Sequence, residues 1–194
     1  MPDHTPVSAL IITYNERANI ERCLASVAFA SEIVVVDSYS TDGTYEYLLQ
    51  QPQVKVVRHR FTNFTGQKNF ALQHACHDWV LFLDADEQIP DGLRREILAT
   101  LARPQPDIYA YWFYRQFMFN GKPLRFSGWQ TDKNIRLFRK SKARYTEQRL
   151  VHERLEVAGR TACLTNRLIH FCYTGFDQYQ SKMLLYGKLK ALEA

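Results

Sequence analysis

Four runs of strand length, separated by helical or turn-forming segments, constrain this chain more than any other feature. They are Val7–Tyr14, Glu32–Asp37, Val54–Arg58 and Trp79–Leu83. The first, second and fourth are almost continuously apolar and rich in β-branched residues, the pattern of strands buried on both faces. After the first, Asn15 offers a helix N-cap, and Ile20, Cys23, Leu24 and Val27 follow at helical spacing. Ser38–Gly43 is turn chemistry, Thr44–Gln51 reads as a short helix, and Gln67–Cys76 as another. Pro90-Asp91-Gly92 opens a helix carrying Leu93, Ile97, Leu98 and Leu101. Such alternation predicts an α/β fold with a mostly parallel central sheet flanked by helices. Ligands of such sheets sit beyond the carboxyl ends of the strands, where Asn15, Asp37 and Asp84 fall.

The 194 residues suit one domain with a substantial core. A 46% hydrophobic and 23% charged composition excludes a disordered chain. The net charge of +5 suits an anionic ligand, a membrane surface or nucleic acid without choosing among them. Cys23, Cys76, Cys163 and Cys172 include no CxxC pair, which excludes a zinc ribbon and points to reduced thiols. No apolar run has membrane-spanning length, and the first residues lack the design of a secretion signal. A cytoplasmic location is expected, with a peripheral contact at the inner membrane left open. Beyond the first hundred residues the character changes. Tyr109–Phe119 is densely aromatic, Ile135–Arg139 and Leu168–Tyr173 read as strands, and Asp177–Ala194 as an amphipathic helix without a stop signal.

The sharpest chemical feature is Leu83-Asp84-Ala85-Asp86-Glu87 at the end of the fourth strand. Three carboxylates within four residues repel one another unless a cation sits among them. Mg²⁺ typically takes one or two protein carboxylates and completes its shell with phosphate oxygens and water, which an Asp-x-Asp at a strand end would allow. A solvated acidic turn is the competing account. Neither GxGxxG nor GxxxxGK[ST] is present, so neither a dinucleotide fingerprint nor a P-loop is expected. Asp37 suits a ribose or base contact, or an Asx turn. Lys68, in Gly66-Gln67-Lys68-Asn69, suits a diphosphate or a base, or plain solvent.

Taken together, Ile11-Ile12-Thr13-Tyr14-Asn15-Glu16, Ile33-Val34-Val35-Val36-Asp37-Ser38 with Thr41-Asp42-Gly43-Thr44, Gly66-Gln67-Lys68-Asn69-Phe70-Ala71 and Leu83-Asp84-Ala85-Asp86 resemble the family 2 glycosyltransferases in order and spacing. Asp132-Lys133-Asn134-Ile135-Arg136-Leu137-Phe138-Arg139 and Val151-His152-Glu153 are similar to the bacterial subgroup that builds the lipopolysaccharide inner core, close to its β-1,4-glucosyltransferases. The resemblance implies a GT-A fold within a single domain over 1–194. Residues 1–103 would bind the nucleotide sugar and 104–194 the acceptor, with the C-terminus open to continuation. It further implies a UDP-sugar donor, Mg²⁺ or Mn²⁺, inversion at the anomeric carbon, and transfer of a hexose, glucose first, to a lipopolysaccharide core acceptor.

On that resemblance Asp86 is the first metal ligand, with Asp84 on the ribose or on the metal through water. Thr13, Tyr14, Asn15 and Glu16 would line the base and ribose pocket, with Asp37 near the uracil and Lys68 near base or diphosphate. Glu153 is the first choice of general base and Asp132 the second, with His152 to orient the carboxylate. Arg136 and Arg139 are expected on one strand face, one of them clamping the diphosphate. His170 could complete a metal site as a neutral imidazole, and Trp129 could stack on a sugar ring. Lys122, Arg125, Lys133, Lys140, Lys142 and Arg144 would suit anionic core sugars or lipid headgroups. Competing readings are a polyprenyl-phosphate, other glycan or protein acceptor, a nucleotidyltransferase, an inactive scaffold, and a basic nucleic-acid-binding module. The last gives no reason for Asp84, Asp86 and Glu87 to converge.

Overall fold

The computed structural model describes residues 5–125, 131–146 and 154–173, together with 176, 180 and 184. The predicted strands form β1 (Val7–Thr13), β2 (Glu32–Asp37), β3 (Val54–Arg58) and β4 (Trp79–Asp84), all parallel, in the order β3-β2-β1-β4. Between them lie α1 (Arg17–Ser26), α2 (Thr44–Leu49) and α3 (Phe64–Gln73). β4 is followed by a two-residue strand, β5 (Glu87–Gln88), and by α4 (Asp91–Ala102).

Alternate residues of the apolar strands feed two separate cores, as a strand's period of two requires. Ala9, Ile11, Val35, Leu81 and Leu83 pack with Ile20, Cys23 and Leu24 of α1 and Leu93, Ile97 and Leu101 of α4. Leu10, Ile12, Val34, Val36 and Phe82 face the other way, onto Ala71 and Leu72 of α3. Burying both faces is why these strands read as unbroken apolar runs.

The second half is built on β6 (Ile108–Phe119), one twelve-residue strand where the sequence showed only an aromatic run. Then come β7 (Lys122–Pro123), β8 (Lys133–Arg139), a single 3₁₀ turn, β9 (Ala143–Thr146), β10 (Arg154–Val157), β11 (Arg160–Cys163) and β12 (Leu168–Tyr173). β8 joins the halves, antiparallel to both β4 and β6. β12 runs parallel to β6 on one side and antiparallel to β5 on the other, pairing His170 with Glu87. The main path of this ten-stranded sheet is β3-β2-β1-β4-β8-β6-β12-β5, and β9 and β10 form a separate hairpin. All four cysteines are free. Among the described residues no helix is long and apolar enough to cross a membrane.

Some boundaries move for local reasons. The Gln67–Cys76 helix begins at Phe64 instead, because the Asn63 side chain accepts from Gly66 N at 2.6 Å and caps it. Asn15 does not cap α1; Glu16 takes that position while Asn15 turns to φ 53°. The expected Asp177–Ala194 helix lies almost wholly outside the described residues.

One contact fixes the turn that delivers β12. The Glu96 carboxylate on α4 accepts from Thr165 N at 2.7 Å, Asn166 N at 2.9 Å and Asn166 Nδ2 at 2.8 Å. The approach is so close that a Cβ on Gly92 would lie 2.7 Å from Asn166 Oδ1. Partial burial opposes the charge of Glu96, but the hydrogen bonds from Thr165 and Asn166 outweigh it and hold the carboxyl below its ordinary range. A carboxyl with a lowered folded pKa contributes stability above its unfolded pKa and loses it as pH falls through the folded one. Urea midpoints should therefore fall more steeply for wild type than for Glu96→Gln between about pH 5 and pH 3.

Candidate active site

The carboxyl ends of β1, β2 and β4 meet at one rim, and hydrogen bonds tie their loops together. Asn15 N donates to Ser40 Oγ at 2.9 Å, and Asn15 Oδ1 accepts from Thr41 N at 2.8 Å. Glu16 N donates to Thr44 Oγ1 at 3.0 Å. Thr13 is buried at the end of β1, and its Oγ1 has no hydrogen-bond partner among the described residues, whereas Tyr14 is 59% exposed. Asp37 is fully buried. Its two oxygens accept from Ser40 N at 3.3 and 3.1 Å, and Arg58 Nε lies 3.6 Å away. In this structure Asp37 braces the β2 turn, the Asx alternative its sequence left open. Gln67, which the sequence did not single out, donates from Nε2 to Ser38 Oγ at 2.9 Å and faces His59 Nδ1 at 2.7 Å. Lys68 is buried too, its Nζ 5.6 Å from the Phe82 ring centroid and 5.5 Å from that of Tyr145.

The acidic turn after β4 is the electrostatic centre. Arg136 of β8 is only 3% exposed, and its Nη2 lies 2.5 Å from both Asp84 Oδ2 and Glu87 Oε1. Glu87 also accepts from Asp84 N at 3.0 Å through Oε2. The cation that the clustered carboxylates require is thus supplied first by the chain itself. Burial would raise Asp84, but Arg136 and then Lys68 hold its carboxyl far below the usual carboxylate range. Burial pushes Glu87 up, against the pull of Arg136, and the neighbouring Asp84 adds to the rise. The guanidinium of Arg136 is held above even its usual range, because the two carboxylates outweigh its own desolvation. It faces these carboxylates rather than open solvent, and so braces the turn instead of standing free for a diphosphate.

The expectation that Arg136 and Arg139 share a face fails. Positions three apart on a strand point to opposite sides, and Arg139 stacks over Trp79 at 5.1 Å, at the start of β4.

His170 of β12 reaches Asp86, with Nε2 and Oδ2 3.2 Å apart, and Phe171 N donates to Asp86 O at 2.8 Å. Burial works against the His170 imidazolium, but Asp86 raises the pKa above its ordinary value. Its Nδ1 is buried without a partner among the described residues. Asp132 lies at the start of β8, its Oδ2 accepting from Arg115 Nε at 2.5 Å. Trp129, His152 and Glu153 lie outside the described residues. Besides Gln67, the sequence does not single out Arg115, and it counts Glu87 among the clustered carboxylates without a role of its own. A lone cation inside the aromatic run Tyr109–Phe119 was the available signal for Arg115.

The described residues contain no ready group of three His, Cys, Asp or Glu side chains able to hold a metal. Asp86 and His170 nonetheless pair an oxygen and an imidazole donor at one point. The carboxylate suits Mg²⁺ or Mn²⁺ sharing its shell with phosphate oxygens, and the imidazole is the softer donor of the two.

The glycosyl transferase family 2 model matches residues 8–169. The chain belongs to this family. It is 32% identical over 191 residues to the lipopolysaccharide core biosynthesis glycosyltransferase LpsC of Rhizobium meliloti, covering 96% of this chain and 70% of that protein. An uncharacterized glycosyltransferase of Rickettsia felis is also 32% identical, with 95% and 69% covered. The fold matches S. aureus TarS 1–349 in complex with UDP, with a TM-score of 0.61 at 17% identity, over 92% of this chain and 63% of that one. The α/β architecture is therefore the GT-A fold of these glycosyltransferases.

Removing Arg136 would take from buried Glu87 its 2.5 Å partner and leave Arg115 Nη1 at 3.9 Å. Breaking a buried pair from one side costs about 3–5 kcal/mol. Arg136→Met is expected to lose at least about 3 kcal/mol in urea unfolding, and Glu87→Gln less, because Arg136 keeps Asp84 as its charged partner.

Proposed function

We propose that this family 2 glycosyltransferase moves a hexose from a UDP-sugar, with inversion, onto a lipopolysaccharide inner-core acceptor. The observation that carries the donor side of this reading is the meeting of Asp86 and His170 at 3.2 Å, across 84 positions of sequence. Asp86 and His170 would hold Mg²⁺ or Mn²⁺, with Asp84 beside them. When bound, the ion offsets the charge that develops on a departing diphosphate. Lys68 adds positive charge at Asp84. Thr13, Tyr14, Asn15, Glu16 and Asp37 would shape the nucleoside pocket at the ends of β1 and β2. Asp37 would act by fixing the Ser38–Ser40 turn, and Arg136 by bracing the acidic turn.

The acceptor hydroxyl must lose a proton, and a carboxylate within about 2.6–3.2 Å of that oxygen, or one water away, would take it. Glu153 is the first candidate and Asp132 the second, with Trp129 as a sugar platform. The likeness to LpsC, which is named for lipopolysaccharide core biosynthesis, supports this acceptor class. Such an acceptor would place the protein on the cytoplasmic side of the inner membrane. Polyprenyl-phosphate, other glycan and protein acceptors remain the alternatives that the same donor chemistry serves.

A thermal-shift panel of UDP and UDP-sugars, each with Mn²⁺ or with chelator, tests the donor and the ion together. At a hundredfold excess over Kd, binding adds about 2.7 kcal/mol, or several degrees for a chain of this size. The shift should require the ion and should vanish in Asp86→Asn and in His170→Ala. A chelator-insensitive shift in wild type would remove the metal from the reading. Glu153→Gln should keep the shift and lose transfer by about 10²–10⁴-fold. Retained transfer would move the base to Asp132.

A further inference from the structure

The acidic turn does not end at Arg136. From Asp84 an unbroken line of alternating charges runs through Arg136, Glu87 and Arg115 to Asp132. The steps are 2.5 Å, 2.5 Å, 3.9 Å and 2.5 Å. Its members come from β4, β8, β5, β6 and the residue before β8. Arg115 is the link between the two ends. Its side chain is 16% exposed, and its Cζ lies 5.0 Å from the Phe117 ring centroid. It holds Asp132 twice, through backbone N to Asp132 O at 3.0 Å and through Nε to Oδ2 at 2.5 Å. Its Nη1 faces Glu87 Oε1 at 3.9 Å. A planar guanidinium presents donors to two carboxylates at a fixed angle, which an ammonium cannot do. Leu168, the ladder partner of Arg115, places it two positions from His170 on β12.

We propose that Arg115 is a positioning residue that locks Asp132 to the Asp84–Glu87 turn, so that acceptor-side and donor-side carboxylates keep one geometry. The chain of ion pairs stands independently of the transferase reading; only the role of Asp132 in the reaction rests on it. A residue that merely stabilised the fold would lower donor affinity and turnover together, or neither. A positioning residue separates them, because a displacement of about 1 Å costs on the order of 10²-fold in rate while leaving ground-state binding intact.

Two measurements on the full chain test this. In the first, UDP and Mn²⁺ are titrated calorimetrically, and UDP release is followed from the UDP-sugar that gives the largest thermal shift. Arg115→Met should keep the UDP–Mn²⁺ Kd within about twofold and slow release about 100-fold. Arg115→Lys should recover part of that rate, and Asp132→Asn should cost nothing further in the Arg115→Met background. Full rate in Arg115→Met, or equal losses in affinity and rate, would overturn the proposal. The second is a urea double-mutant cycle of Glu87→Gln with Asp132→Asn, repeated with Arg115→Gln should the methionine variant not fold. Losses that are non-additive in wild type and additive without Arg115 support the link, and additive losses throughout overturn it. If wild type binds no UDP–Mn²⁺, the transferase reading fails and the cycle alone judges Arg115.

Discussion

One guanidinium spanning two carboxylates is the interaction on which the rest of the site depends. Ionised groups buried without partners cost several kcal/mol each, and their attraction offsets this only when the geometry is close and the remaining polar atoms are satisfied. Arg136 meets the first half of that condition toward Asp84 and Glu87, while its own Nε is buried without a partner among the described residues, and Glu87 also accepts from the backbone N of Asp84. The result is a turn whose shape is set before any ligand arrives. Asp84 carries the negative charge against the guanidinium, while Asp86, two residues on, meets His170 at 3.2 Å. Two carboxylates that look equivalent on paper are thereby assigned different surroundings.

This alters an argument that was sound in its physics. Clustered carboxylates do require a cation, but sequence proximity does not say whose. Here Arg136 lies 52 positions from Asp84 and His170 lies 84 from Asp86. No local pattern connects them, since the pairing is made by the sheet order β4-β8-β6-β12-β5. The metal proposal therefore draws its support from the Asp86–His170 pair rather than from carboxylate repulsion.

The first half of the fold was legible because its signal is local. Apolar runs such as Ile33–Val36 can be only strands or buried helix, and the turn residues after them decide the matter. In the second half Ile135–Arg139 and Leu168–Tyr173 were legible for the same reason and form β8 and β12, but β6 was not, because it buries only some of its residues and carries Arg115 within an aromatic stretch. The error over Arg136 and Arg139 came from treating a spacing of three as one face of a strand. Asp37 shows the opposite limit. Its type and position at a strand end suit a ligand contact, but they do not show that it is fully buried and held by Ser40 N and Arg58. Burial of a single carboxylate depends on loops from three elements, and periodicity carries none of that information.

The position of β12 has a bearing on how such a protein comes into being. It is the last described strand, yet it sits between β6 and β5 and brings the imidazole to a turn completed some eighty residues earlier. The core on one face of the parallel half also needs α4, with Leu93, Ile97 and Leu101, and the acidic turn lacks its imidazole until β12 is in place. β12 joins β6 to β5, and the same strand carries His170. A chain that stopped short of Leu168 would keep the residues at the ends of β1, β2 and β4 but lack the His170 that meets Asp86.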